Sequence, residues 1–278
     1  MKCFYHKSDL DGQCSGAIVK LKFPECEMIG IQYGDPFPWE NVIPGEAVWM
    51  VDFSLQPFGD MIRLSNLAEL YWMDHHKSSL DEAYEWKFMA SGGQNCQIGK
   101  AGCELTWQSC HPEIPPPRAV TLLGRYDVWD HHNYLGALEF QYGMRNQDDT
   151  RPDNVDFWSD VLDDCGEVSR IAFTGETILA YETRQHAAYV RSCGFEVELG
   201  GLRCLAVNKG LTNSLLFASR YDPEKHDAML AFCLRKSGQW TVSLYSDKSD
   251  VDVSEICKAR GGGGHKGAAG FQCAILPF

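Results

Sequence analysis

Along the first hundred residues of this 278-residue chain, short apolar runs alternate with segments whose apolar positions recur every three or four residues. KCFYH (Lys2 to His6), AVWMVDF (Ala47 to Phe53) and ELYWMD (Glu69 to Asp74) are short and nearly continuous, and they predict buried strands. QCSGAIVKLKF (Gln13 to Phe23) and PFGDMIRLSNL (Pro57 to Leu67) carry the helical period. A strand, helix, strand order predicts a parallel sheet covered by helices. Farther on, PPPR (Pro115 to Arg118) interrupts the chain ahead of an apolar helix from Ala119 to Tyr126. A long helical pattern then runs from Val168 to Ser192 and stops at Cys193-Gly194. Beyond it the chain reads as strands in FEVEL, LRCLAV, AMLAFCLR and WTVSLYS, the last two joined by the hairpin-turn sequence KSGQ. A short helix from Val253 to Arg260, the run GGGGHKGAAG and a closing strand FQCAIL complete the pattern. The expected fold class is α/β: an N-terminal parallel-sheet domain over 1–167, a linker helix over 168–194, and a smaller C-terminal α/β domain with a mixed sheet over 195–278.

Composition narrows this picture. A 44% hydrophobic fraction with 23% charged residues suits two packed cores and excludes a disordered chain or a fibre. The first residues offer no apolar stretch long enough for a secretory signal, and no later window approaches a membrane span, so the cytoplasm is the expected location and no membrane partner is expected. The twelve cysteines are scattered without a CxxC pair and are expected to be reduced thiols. Cys103, Cys110 and His111 lack the second close pair that a structural zinc site calls for. The net charge of −13 argues against a protein that coats long nucleic acid, whose affinity comes from many Lys and Arg contacts to phosphates. A short or small phosphorylated substrate stays open, its charge met locally by metal ions or a few cations.

Candidate chemistry gathers where an α/β sheet collects ligands, at the carboxyl ends of its strands. His6, Asp9 and Asp11 lie in HKSDLDG directly after the first strand, in a crowd of carboxylates that needs a cation or open solvent; a solvated turn with an Asp helix cap is the alternative. Asp52 in VDFS follows an apolar strand and needs a partner. Asp74-His75-His76 offers carboxylate and imidazole together, which suits manganese, iron, cobalt or zinc. Asp127, Asp130, His131 and His132 follow the helix before RYDVWDHH. Several such groups converging could hold two divalent cations sharing one carboxylate, an arrangement suited to phosphoryl transfer. In RGGGGHKGAAGF the glycines allow close backbone approach and present amides to an anion, with His265 and Lys266 adding donors.

HKSDLDG, VDFS, MDHHKSS and RYDVWD in that order, followed by GGGGHKGAAGF, closely resemble the DHH phosphoesterase superfamily with its DHH-associated C-terminal domain, oligoribonuclease and nanoRNase-type phosphodiesterases among its members. The resemblance spans nearly the whole chain. It implies a catalytic domain, a linker helix, a smaller substrate-binding domain and a cleft between them. It also implies two Mn²⁺ ions, with Mg²⁺ or Co²⁺ as alternatives: His6 and Asp9 on one, Asp11, His75 and Asp127 on the other, and Asp52 bridging. Asp74 would orient a ligand, and His76 would lie near the scissile phosphate. Gly262, Gly263, Gly264, His265, Lys266, Arg260 and Tyr245 would hold substrate. Two departures stand out. Only Lys7 and Ser8 separate His6 from Asp9, a shorter spacing than in many members, and SLYS puts Tyr245 where many members carry a phosphate-gripping Arg. The second DHH, Asp130 to His132, falls outside the family's ligand position and is expected to have no catalytic role.

The activity this implies is Mn²⁺-dependent hydrolysis of very short oligoribonucleotides to mononucleotides. Hydrolysis of a small phosphate compound is the alternative: a nucleoside 3′,5′-bisphosphate, a cyclic or linear dinucleotide, or polyphosphate. A non-catalytic nucleotide- or RNA-binding module is a third reading, disfavoured because Asp9, Asp11, Asp52, His75 and Asp127 are all present. The sequence leaves the oligomeric state open, a homodimer being one option.

Overall fold

The computed structural model describes residues 1–163 and 166–278, and the chain divides into two compact units, Met1–Leu179 and Ala180–Phe278. In the first, β1 (Lys2–His6), α1 (Leu10–Lys22), β2 (Glu27–Ile31), β3 (Ala47–Val51), α2 (Gly59–Leu67), β4 (Glu69–Asp74), α3 (Lys77–Glu85) and β5 (Gly93–Cys96) build the sheet. Four helices follow, α4 (Gly102–Cys110), α5 (Arg118–Asp127), α6 (Ala137–Met144) and α7 (Val155–Leu162). A 27-residue helix, α8 (Glu167–Cys193), continues from the first unit into the second.

Every pairing in the first sheet is parallel, in the order β2-β1-β3-β4-β5. A parallel sheet is covered on both faces, and its central strands are accordingly apolar at nearly every position. Successive residues then serve opposite cores. Cys3, Tyr5, Trp49, Val51 and Met73 pack toward α1, α4, α5 and α7, while Phe4, Val48, Met50, Leu70 and Trp72 pack toward α2 and α3. A slip of one residue would exchange the two sets, so the register is tightly fixed. The strand order reverses between β1 and β3, and the crevice outside the carboxyl ends at such a reversal is the usual ligand position in open α/β sheets.

The second unit holds β6 (Phe195–Leu199), β7 (Leu202–Asn208), β8 (Ala228–Leu234), β9 (Trp240–Tyr245), α9 (Val253–Lys258), β10 (Gly263–His265) and β11 (Ala268–Cys273). Its sheet, ordered β10-β11-β9-β8-β7-β6, is mixed because β7 and β8 run parallel and the other pairs antiparallel. Cys257 of α9 packs on one face with Leu230, Val242 and Phe271. Val190 of α8 covers the other with Leu216 and Phe217.

The structure departs from the sequence expectation at several places. The helix expected from Gln13 begins at Leu10, because Asp9 caps it with Oδ1 accepting from the Gly12 amide at 2.9 Å. β2 (EMIGI) and β5 (GQNC) are not among the expected strands: β2 is a short run broken by Gly30, β5 has no large apolar residue, and both pair at the sheet's edges. The closing strand starts at Ala268, before Phe271, since the small residues Ala268 to Gly270 pair with β9. Cys103 and Cys110 lie at opposite ends of α4, which removes the zinc option. Among the described residues no helix is long and apolar enough to cross a membrane.

Candidate metal centre

Four segments bring their polar side chains together at the carboxyl ends of β1, β3 and β4 and the end of α5. His6 closes β1; its Nδ1 lies 2.9 Å from Asp9 Oδ2 and 3.5 Å from Asp52 Oδ2. Asp52 follows β3 with a left-handed backbone, φ 54°, a conformation that Asp tolerates better than most residues. Its amide donates to the Met73 carbonyl at 2.8 Å. His75 follows β4, and its Nε2 lies 3.2 Å from Asp52 Oδ1, 3.3 Å from Asp127 Oδ2 and 3.6 Å from Asp11 Oδ2.

These distances define two donor sets, His6–Asp9–Asp52 and Asp11–His75–Asp127, each with its donor atoms within 4.8 Å of one another. Asp52 is common ground: one oxygen faces His6 and the other His75. A third set, Asp52–His75–His76, overlaps both. Nitrogen and oxygen donors mixed in this way suit divalent cations of the manganese to zinc series.

Three supports hold the carboxylates in place. The amides of Gly102 and Cys103, at the N-terminus of α4, donate to Asp11 Oδ2 and Oδ1 at 2.7 and 2.8 Å. Gly102 is required there, because a Cβ would stand 2.6 Å from Asp52 Cβ. Glu104, in the same first turn, pairs with Arg125 of α5 at 2.6 Å, tying the α4 end that holds Asp11 to the helix that ends at Asp127. Asp74 Oδ1 accepts from the His75 amide at 2.7 Å and the His76 amide at 3.1 Å, and meets His76 Nδ1 at 2.7 Å.

The electrostatics show what the cluster lacks. Burial pushes Asp52 and Asp127 well above the carboxylate range, and the neighbouring charge of Asp11 adds to the effect. Burial opposes a charged His6, yet Asp52 and Asp9 outweigh it and push the imidazole up to about 10. Burial likewise opposes the shifts of Asp9 and Asp74, which are nonetheless lowered, Asp9 mainly by His6 and Asp74 mainly by His76. Among the described residues, Asp52 Oδ1, Asp74 Oδ2 and His6 Nδ1 are buried without hydrogen-bond geometry to a partner. Orphaned donor atoms in a crowd of buried carboxylates are what a dication would satisfy, and the residues fit such ions.

The remaining sequence candidates are not members of these donor sets. His131 is buried against Trp129 and His132, with ring centroids 4.6 and 4.0 Å away, and neither it nor His132 enters the donor sets. In the second unit, Gly263 to His265 form the edge strand β10, paired with Ala268 to Gly270, so the glycine run forms a hairpin at the sheet's edge. Gly262 donates its amide to the Cys257 carbonyl at 2.9 Å. Tyr245 pairs with Ala268 across the sheet, and its hydroxyl donates to the Thr212 carbonyl at 3.1 Å. Arg260 lies over the Phe271 ring at 5.7 Å and donates to the Ile256 carbonyl. Lys266 Nζ donates to the Ser249 carbonyl at 2.6 Å. Sequence reasoning missed the Gly102 and Cys103 amides, the Glu104–Arg125 pair and Tyr33; the last had only a local turn signal, GDP at Gly34 to Pro36.

No family model matches the chain, and no curated protein matches it. Among solved structures it is similar to a pGpG-specific phosphodiesterase, PggH, from Vibrio cholerae, with a TM-score of 0.51 at 12% identity over 99% of this chain and 93% of that one. It is also similar to the DHH domain of a member of the S1p family of ribosomal proteins, with a TM-score of 0.52 at 14% identity over 97% and 81%. A third is an exopolyphosphatase-related protein from Bacteroides fragilis, with a TM-score of 0.52 at 11% identity over 99% and 87%. The chain has the two-domain α/β fold of DHH-domain proteins.

Proposed function

We propose that this chain, with the DHH fold as its premise, is a divalent-metal-dependent phosphoesterase that hydrolyses very short oligoribonucleotides, dinucleotides included, to mononucleotides. The observation that carries this reading is Asp52, a member of the His6–Asp9–Asp52 set whose other oxygen lies 3.2 Å from His75 of the Asp11–His75–Asp127 set. Two donor sets meeting on one carboxylate suit the paired cations of phosphoryl transfer. His6, Asp9 and Asp52 would hold one ion, and Asp11, Asp52, His75 and Asp127 the other, with Mn²⁺ preferred and Mg²⁺ or Co²⁺ as alternatives. Bound there, the ions supply a water acidic enough to ionise near neutral pH and offset charge on the phosphate.

The chain's own residues orient the reaction. Asp74 fixes the His75 backbone and grips His76 at Nδ1, leaving proton exchange at that ring to Nε2. Burial opposes a charged His76, but Asp74 outweighs it and raises the imidazole, favouring a donor to a phosphoryl or leaving oxygen. In the second unit, the edge strand with Gly263, Gly264 and His265, together with Gly262, Lys266, Arg260 and Tyr245, is assigned to substrate capture. The acidic chain suits substrates with few phosphates.

The test is product analysis on chelator-stripped protein with and without Mn²⁺, using RNAs of two to five nucleotides, a nucleoside 3′,5′-bisphosphate, a cyclic dinucleotide and polyphosphate. Metal-dependent release of mononucleotides from the short RNAs is expected. Cleavage of only one small phosphate compound would replace the substrate, and no turnover with any divalent metal would overturn the reading.

A further inference from the structure

Tyr33 lies just past the end of β2 and belongs to none of the donor sets, yet its ring touches the centre. It is 46% exposed, whereas Phe53 beneath it is 4% exposed. The two rings lie 4.4 Å apart, tilted by 31° to each other. Tyr33 also meets His6 at 5.9 Å and His76 at 6.2 Å, both edge-on. Tyr33 thus packs against Phe53 and two imidazoles of the cluster and hydrogen-bonds to Ser54, while part of it stays exposed.

The turn that carries Tyr33 is fastened to the loop that carries the first ligands. The Lys7 amide donates to the Ile31 carbonyl at 2.9 Å. Ser8 Oγ donates to Gln32 Oε1 at 2.9 Å, and Lys7 Nζ pairs with Asp35 at 2.6 Å. Lys7 and Ser8 are the two residues between His6 and Asp9, so the ring and the ligands are positioned by the same few bonds. An aromatic held rigid before a ligand arrives costs little further ordering on binding.

We infer that Tyr33, packed on Phe53 beside the cluster, is the platform for a nucleobase of the substrate and makes the site select base-bearing phosphodiesters over base-free phosphates. The inference rests on the phosphoesterase reading. With a phosphate at the cations that the carboxylates and imidazoles would hold, the group a ribose away is the base, and every base offers a π-face to stack. Inorganic polyphosphate offers nothing to that ring.

The experiment compares a ribodinucleotide with its abasic analogue, which keeps the sugar-phosphate backbone, using Mn²⁺-loaded protein. The quantity read is the ratio of kcat/KM for the two substrates. Wild type is expected to favour the base-bearing substrate. Tyr33→Ala and Tyr33→Leu should lower the ratio by about 5- to 150-fold, the span of base-aromatic stacking, chiefly through KM. Tyr33→Phe should retain it. Tyr33→Leu still covers Phe53, and thermal unfolding checks that each variant is folded. A wild-type ratio near one, or an unchanged ratio in the leucine variant, would overturn the platform and leave the phosphoesterase reading standing. No cleavage of either substrate by wild type would overturn the platform together with the short-RNA substrate.

Discussion

Replacing Gly102 by alanine adds a single methyl group at the point where α4 approaches the centre. The new Cβ would stand 2.6 Å from Asp52 Cβ and 2.9 Å from Asp52 Oδ1, closer than folded proteins tolerate. Either Asp52 must turn away, or the N-terminus of α4 must retreat and stretch the 2.7 and 2.8 Å bonds to Asp11. Overpacking of this kind costs roughly 1–3 kcal/mol. If the bound state carries that strain, Mn²⁺ binding weakens by about 5- to 150-fold. Gly59→Ala is the matched control, since Gly59 also opens a helix and a Cβ there meets nothing within 4 Å. Its expected effect on metal binding is nil, and its stability should stay level or rise by up to about 1 kcal/mol from helix propensity. Isothermal titration with Mn²⁺ and thermal unfolding of both variants make the measurement. A folded Gly102→Ala protein with wild-type Mn²⁺ affinity would refute the claim that α4 sets the position of Asp52 and Asp11.

Asp52→Asn and His75→Ala should each abolish Mn²⁺-dependent turnover, and full activity in either would undo the ligand assignment. Asp74→Asn should lower Mn²⁺ affinity or kcat/KM by about 10- to 100-fold, the usual effect of removing a group that orients a ligand, checked by titration and steady-state kinetics. Breaking the Glu104–Arg125 pair with Arg125→Met leaves a mostly buried carboxylate and should cost about 3 kcal/mol in urea unfolding, with part recovered in the double variant Glu104→Gln/Arg125→Met. His131 is pushed down to about 4, by burial first and then by His132. Its folded value lies below the ordinary 6.5, so the unfolded chain binds the extra proton and stability falls as pH drops from about 6.5 toward 4; Phe in its place should remove about 1–2 kcal/mol of that loss at pH 5, seen in unfolding curves.

What the sequence disclosed is what short-range patterning encodes. The strands β1, β3 and β4 announce themselves as apolar runs because both their faces are buried, and the acidic and imidazole groups that follow them stand where such strands must end. The supports were hidden for a different reason. Asp11 receives its amides from Gly102 and Cys103, about ninety positions later, and nothing near Asp11 marks that meeting. Arg125 reads as the basic end of a helix until the fold brings it to Glu104. Tyr33 sits in a turn with no period, and its contact with His6 and His76 exists only because β2 pairs beside β1.

Capping a helix and binding a cation are compatible roles for one carboxylate. A carboxylate offers about four lone-pair positions on two oxygens, so accepting an amide leaves room for a cation. Asp9 caps α1 through Oδ1 while Oδ2 faces His6. Asp11 holds α4 with both oxygens while Oδ2 also faces His75. Asp74 secures two backbone amides and one imidazole through a single oxygen. These three acids are positioned by the fold itself, and side-chain order at the centre does not wait for an ion. Asp52 and Asp127 are of another kind, driven upward by burial and by Asp11. The two acids that the protein leaves short of positive charge face the same His75 Nε2 from 3.2 and 3.3 Å, and that is where a cation would have most to offset.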